Sequence, residues 1–153
     1  MITRHIETLF CDDIRHEMGG KLSFIGAYSG ELLVPAFPAR LPKLCLFVRM
    51  VTPVEEPFRS LDLRVLKDAE TVQEIAFNKE RLTALSDLAE GMTEEQRKTH
   101  VLPNQVIVTF SPMQSNETCI LRVSVRTEEG ELCGLGLKVD RAQPPVDSVP
   151  DQS

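Results

Sequence analysis

No stretch of this sequence approaches the roughly 18 consecutive apolar residues that a membrane-spanning helix requires. Its N-terminal segment, MITRHIETLFCDD, also lacks the apolar central run and small-residue cleavage site of a secretory signal. Both absences lead to the expectation of a cytoplasmic protein with no membrane partner. Positive charge is scarce as well, with 17 Lys plus Arg against 23 Asp plus Glu and a net charge of -6. That balance repels a phosphate backbone instead of releasing its counterions, so no nucleic-acid partner is expected. Cysteine is sparse and scattered: Cys11, Cys45, Cys119 and Cys133 form no Cys-x-x-Cys and no Cys/His pair at zinc-ligand spacing. The expectation is four small buried hydrophobes, with no metal and no cofactor.

What is present is alternation. At 153 residues the chain suits one domain, which buries roughly 68–70% of its unfolded surface. That domain is expected over residues 1–141, followed by a disordered, Pro-rich tail at 142–153 (AQPPVDSVPDQS). Period-two patterning between turn residues predicts nine strands: 6–11, 21–28, 31–35, 43–52, 59–66, 71–77, 104–110, 117–126 and 132–139. Short strands at this spacing predict a mainly β protein, an Ig-like two-sheet antiparallel β-sandwich, with a closed β-barrel as the alternative. KLCLFVRMVT (43–52) is apolar on both faces except at Arg49, which marks a central strand. The C-terminal hairpin is expected to pair Thr127 with Glu131 and to place Cys133 opposite Val125, out of disulfide reach of Cys119.

One stretch departs from the β pattern. NKERLTALSDLAE (78–90) spaces Leu82, Leu85, Leu88 and Ala89 at three and four residues behind an Asn78 cap, with Gly91 as its stop. This predicts a short helical crossover, and Thr93-x-x-Gln96 fits a capping box for a further turn. The prolines at 35, 38 and 42 predict an extended connection. Gly134 and Gly136 alternate with Leu135 and Leu137, leaving a shallow strip for another part of the chain or for a partner.

The most distinctive segment is CDDIRHEMGGKLSFIGAY (11–28), where charge, glycine, a His and a Cys are concentrated. Its residues Cys11-Asp12-Asp13-Ile14-Arg15, Glu17, Gly19-Gly20-Lys21, Ser23 and Gly26 resemble the CDDIR-x-E-x-GGK-x-S-x-x-G signature of a family of uncharacterised bacterial proteins. The resemblance extends weakly to Leu41-Pro42-Lys43-Leu44 and implies a shared domain without implying an activity. A phosphate loop is excluded, since Arg15 stands where a Walker loop has its first glycine and Leu22 where it has Ser or Thr.

Two readings of the segment compete. In the first, Asp12, Asp13, Arg15, Glu17, Lys21 and Ser23 form a binding site for a small molecule or cation. In the second, Asp12 or Asp13 accepts backbone donors at the end of the first strand, the charged residues pair on the surface, and Gly19-Gly20 makes a tight turn. Cys11 with His5 or His16 makes a poor nucleophile pair, because adjacent aspartates disfavour the thiolate. No residue is assigned a catalytic or metal-ligating role.

Three functions follow. A non-enzymatic cytosolic binding or assembly module, working through a protein partner or a homo-oligomer at an edge strand, is the leading expectation. The alternatives are a small-molecule or metal-responsive domain using the Asp12–Ser23 segment, and a carboxylate-based hydrolase.

Overall fold

A computed structural model describes residues 3–143. Two sheets face each other across one apolar core, and no closed barrel forms among the described residues. The first sheet has the order β2 (Leu22–Ala27), β1 (His5–His16), β5 (Leu44–Pro53) and β8 (Val101–Phe110), all antiparallel. The second runs β3 (Glu31–Val34), β12 (Leu137–Arg141), β10 (Cys119–Thr127), β6 (Leu61–Lys67) and β7 (Glu70–Ala76), with β11 (Gly130–Cys133) also on β10. One pair departs from the antiparallel expectation: β12 and β3 run parallel, Val139 opposite Leu32.

β5 is the central strand that its composition predicts, buried from Leu44 to Thr52 apart from Arg49. Its Leu44, Leu46, Val48 and Met50 enter the core between the sheets, where they meet Leu63 and Val65 of β6, Val123 and Val125 of β10, and Leu137 and Val139 of β12. Each such side chain, fully buried, contributes about 1.5–3 kcal/mol of apolar transfer. The pattern is that of a two-layer sandwich, with alternate residues of both sheets supplying the interior.

Four details correct the reading of the sequence. The first strand does not stop at Cys11 but continues to His16, because Asp13 to His16 find ladder partners in Ile25 to Leu22. The Pro-rich connection contains a short strand, β4 (Ala39–Leu41), paired with β9 (Met113–Ser115) in a small sheet of its own. The C-terminal hairpin pairs Thr127 with Gly130, not Glu131, so Cys133 faces Ser124 and its side chain is exposed while Cys11, Cys45 and Cys119 are buried. The loop is one residue shorter than expected, because Gly130 takes φ +135° and closes the turn around Glu128-Glu129.

The expected strand 132–139 is also interrupted, because three residues, Gly134 to Gly136, oppose the two residues Arg122 and Val123. Both glycines are needed by this domain itself. A Cβ at Gly134 would lie 2.4 Å from Thr8 Cγ2, and one at Gly136 would lie 2.7 Å from the Leu121 carbonyl oxygen. Thr8 Oγ1 then donates to the Leu135 carbonyl at 2.8 Å, stitching the two sheets together where β1 extends beyond β2.

The crossover holds two helices, α1 (Lys79–Glu90) and α2 (Glu94–Thr99). Asn78 caps the first through Arg81 N–H at 2.8 Å, and Thr93 with Gln96 forms a complete capping box on the second. Leu82 and Ala89 are the buried contacts of α1. Ala142 N–H still donates to the Val34 carbonyl, so the chain is held one residue past the expected domain end. Residues 144–153 of the expected tail lie outside the described residues.

Candidate functional site

The distinctive segment forms the β1–β2 hairpin. Arg15 pairs with Ser23 and His16 with Leu22, and Glu17 N–H donates to the Lys21 carbonyl at 2.8 Å, closing the ladder. The turn Met18-Gly19-Gly20 fills the gap with φ of +80° at Gly19 and +75° at Gly20, a region that strongly favours glycine. The paired glycines of the signature are therefore a backbone requirement.

The carboxylates are committed to three different partners. Asp12 accepts a hydrogen bond from the Tyr28 hydroxyl. Asp13 Oδ1 accepts from Lys43 Nζ at 2.6 Å and from Ile14 N–H at 3.0 Å, with Arg15 Nε 3.7 Å from its other oxygen. Glu17 Oε1 accepts from Ser23 Oγ at 3.1 Å. Lys21 is exposed and enters the turn through its backbone. The six residues singled out from the sequence thus share one hairpin without converging on one point. Among the described residues no group of three or more His, Cys, Asp or Glu is placed to hold a metal ion.

Two residues that sequence reasoning left aside complete these arrangements. Tyr28, just beyond β2, reaches back over the strand to Asp12, and Lys43 enters from the start of β5. The Leu-Pro-Lys-Leu part of the resemblance was the available signal for Lys43, since its presence alongside CDDIR is what a structural pair would require. Gly26 also acquires a reason. It takes φ +66°, and a Cβ there would lie 2.2 Å from Asp12 Oδ2, so the carboxylate occupies the space a side chain would need.

Electrostatics follow the bonding. The hydrogen bond from Lys43 holds the Asp13 carboxyl below its ordinary range, and the same contact raises Lys43. Burial, with Asp12 as bond partner and nearby charge, pushes the Tyr28 hydroxyl up to about 12. Burial also pushes the Cys11 thiol up to about 11, helped by Cys45, its direct cross-strand neighbour, and by the two aspartates. A thiol so placed is an inert core group, not a nucleophile.

The hairpin's surface is less self-contained than its polar groups. Met18 at the tip is 91% exposed, and Phe24 and Ile25 on β2 are 38% and 39% exposed. Phe24 is anchored on one side by an edge-to-face contact with Phe47 of β5, ring centroids 5.1 Å apart. β2 is the terminal strand of its sheet, so one edge of its backbone pairs with no other strand of the described chain.

No curated protein and no solved structure matches the chain. A family model described as a family of unknown function, DUF6941, matches residues 7–140, from within β1 to within β12 and including the whole hairpin. The chain belongs to this family of unknown function, DUF6941.

Proposed function

We propose that this protein is a non-enzymatic binding or assembly module acting in the bacterial cytoplasm, with the β1–β2 hairpin and the free edge of β2 as its contact element. The observation that carries this reading is the character of β2. Its sequence, LSFIGA, contains no charge and no proline, and exposes Phe24 and Ile25 on a terminal strand. Edges of that kind are ordinarily blunted by charge, proline or cover, because an unpaired backbone ladder templates strand addition. An edge left open is suited to β-augmentation by another chain.

On this reading the signature residues build the platform. Asp12 on Tyr28, Asp13 on Lys43 and Glu17 on Ser23 fix the hairpin's shape, while Arg15 and Lys21 remain exposed beside the edge for a partner's acidic groups. A ligand-responsive domain or a carboxylate hydrolase would need Asp12, Asp13 and Glu17 to share one substrate or ion. Their separate commitments favour assembly over both. The helices contribute no membrane element to weigh against it: among the described residues, none is long and apolar enough to cross a bilayer.

The test compares tagged wild type with Ile25→Lys, each purified from the cells that express it, by mass photometry. Wild type is expected in particles larger than one chain, and Ile25→Lys as a single chain with unchanged circular dichroism and melting. Wild type running as one chain throughout, or a variant that associates equally well, would overturn the reading.

A further inference from the structure

The geometry points to a binding site for a small organic oxyanion, a carboxylate or phosphate on a compact apolar body, in the groove between α1 and the segment Pro57-Phe58-Arg59. The groove encloses about 320 Å³, at the lower end of the range for small-molecule sites. It lies beside Arg4, at the opposite end of β1 from the hairpin turn, and does not depend on the reading of the β2 edge.

One wall is a face of α1. Leu82, Thr83 and Ser86 stand three, four and seven residues after Lys79, which puts all four on one side of the helix. Leu82 and Phe58, both buried members of the main core, make the floor apolar. The facing wall is braced by Arg4, whose side chain is only 9% exposed. Its Nη2 donates to the Glu56 and Pro57 carbonyls at 2.9 and 3.0 Å, and its guanidinium lies 4.7 Å from the centre of the Phe58 ring. Glu128 completes the brace. One of its oxygens accepts from Arg4 at 2.7 Å, and the other accepts from the Arg59 and Ser60 N–H groups at 3.1 and 3.2 Å. A wall held by charge-assisted bonds is shaped before a ligand arrives, which spares the ligand the cost of ordering it.

Charge then names the ligand. The groove is lined by two cations, Arg59 and Lys79, and by the Thr83 and Ser86 hydroxyls, with no carboxylate among the described residues that line it. That is a positive hollow in a chain of net charge -6. Arg59 also borders the neighbouring hollow that holds Glu55 and Glu56, yet among the described residues neither Arg59 nor Lys79 enters an ion pair. Glu128 is spent on Arg4 and on backbone donors. An oxyanion between the two walls meets a cation on each side and hydroxyl donors along the helix, and the apolar floor favours an ion with an apolar body over a fully hydrated one.

The test is a nuclear magnetic resonance titration of the full, isotope-labelled chain with phenyl phosphate, benzoate, inorganic phosphate and benzylamine. Phenyl phosphate, benzoate or both are expected to shift the amides of Arg59, Lys79, Thr83 and Ser86 and to saturate by about 10 mM. Benzylamine should shift none of them, and inorganic phosphate should bind at least about threefold more weakly than the tighter aryl anion. The double variant Arg59→Gln/Lys79→Gln changes two exposed side chains, so circular dichroism and melting should hold while the aryl anion binds about three- to tenfold more weakly. Failure of both aryl anions to saturate, shifts scattered away from the groove, equal binding of benzylamine, or an affinity that the double variant leaves unchanged would each overturn the site. Inorganic phosphate binding as tightly as the aryl anions would overturn the part given to the apolar floor.

Discussion

Replacing Gly26 by alanine probes the hairpin at the point where backbone and motif chemistry meet. Gly26 takes φ +66°, and an added Cβ would lie 2.2 Å from Asp12 Oδ2, 2.8 Å from its Cγ and 3.1 Å from its Cβ. Two costs add. Holding a non-glycine residue in the left-handed region costs about 1–2 kcal/mol. Expelling the carboxylate breaks its bond with Tyr28, and hydrogen bonds to charged groups are worth about 1.5–3 kcal/mol. Relaxation recovers part of this, so a loss of about 2–4 kcal/mol is expected. At about 2–4 °C per kcal/mol for a chain of this size, the melting temperature should fall by about 5–15 °C. Urea denaturation of wild type, Gly26→Ala, Asp12→Ala and the double variant separates the two costs. In the Asp12→Ala background the Gly26→Ala loss should shrink to about 1–2 kcal/mol, the backbone share alone. A Gly26→Ala loss below about 0.5 kcal/mol, or one that Asp12→Ala leaves unchanged, would refute the reasoning.

Further outcomes follow from the same geometry. The Asp13–Lys43 pair lowers the pKa of the carboxyl and raises that of the amine, so its stabilisation is fully present from above the unfolded carboxyl value of about 4 up to about 10.5. It is lost as pH falls through the lowered Asp13 value, so the stability gap between wild type and Asp13→Asn should narrow in acid; a gap constant from pH 2 to 7 contradicts this. With iodoacetamide at pH 8, mass spectrometry should find Cys133 modified in the folded protein and all four cysteines modified in urea, because the other three thiols are buried. Rapid labelling of Cys11 under native conditions would contradict its inert placement. Leu63→Ala, a fully buried site between the sheets, should cost about 2–5 kcal/mol by denaturant melt, and a loss under 1 kcal/mol would show that the core is assigned to the wrong residues.

The sandwich was legible because its core strands alternate. Leu61 to Val65 and Cys119 to Val125 advertise one buried face, and KLCLFVRMVT advertises two. Helix caps were legible for the same local reason, as Asn78 and Thr93 each act on a backbone N–H three residues ahead. The hairpin was harder to read. Apart from Ile14, Asp12 to His16 are polar on both faces, since this part of the strand stands beyond the core, so period-two patterning vanishes although the ladder continues. The committed partners were hidden by sequence distance: Tyr28 lies 16 residues from Asp12, and Lys43 lies 30 from Asp13. Arg4 is a similar case. It joins Thr52, the Glu56 and Pro57 carbonyls and Glu128, 124 residues away, and no local pattern encodes that.

Parity also explains the misplaced turn. A glycine at 130 fits several hairpin registers, and only the positive φ of +135° with the Thr127–Gly130 pairing distinguishes a two-residue loop from a three-residue one. That single step moved Cys133 from the facing of Val125 to the facing of Ser124, and from the interior to the surface.

Tyr28 is the sole tyrosine of the chain, so its ionisation can be followed in the ultraviolet without interference. If the signature carboxylates are spent on holding the hairpin, the phenol, raised by burial and by its bond to Asp12, titrates near 12, and Asp12→Asn lowers it part of the way toward the ordinary value of about 10, burial holding the rest. A phenol that titrates near 10 in the folded wild type, indifferent to Asp12→Asn, would mean that Asp12 is free and that the segment is an open site after all.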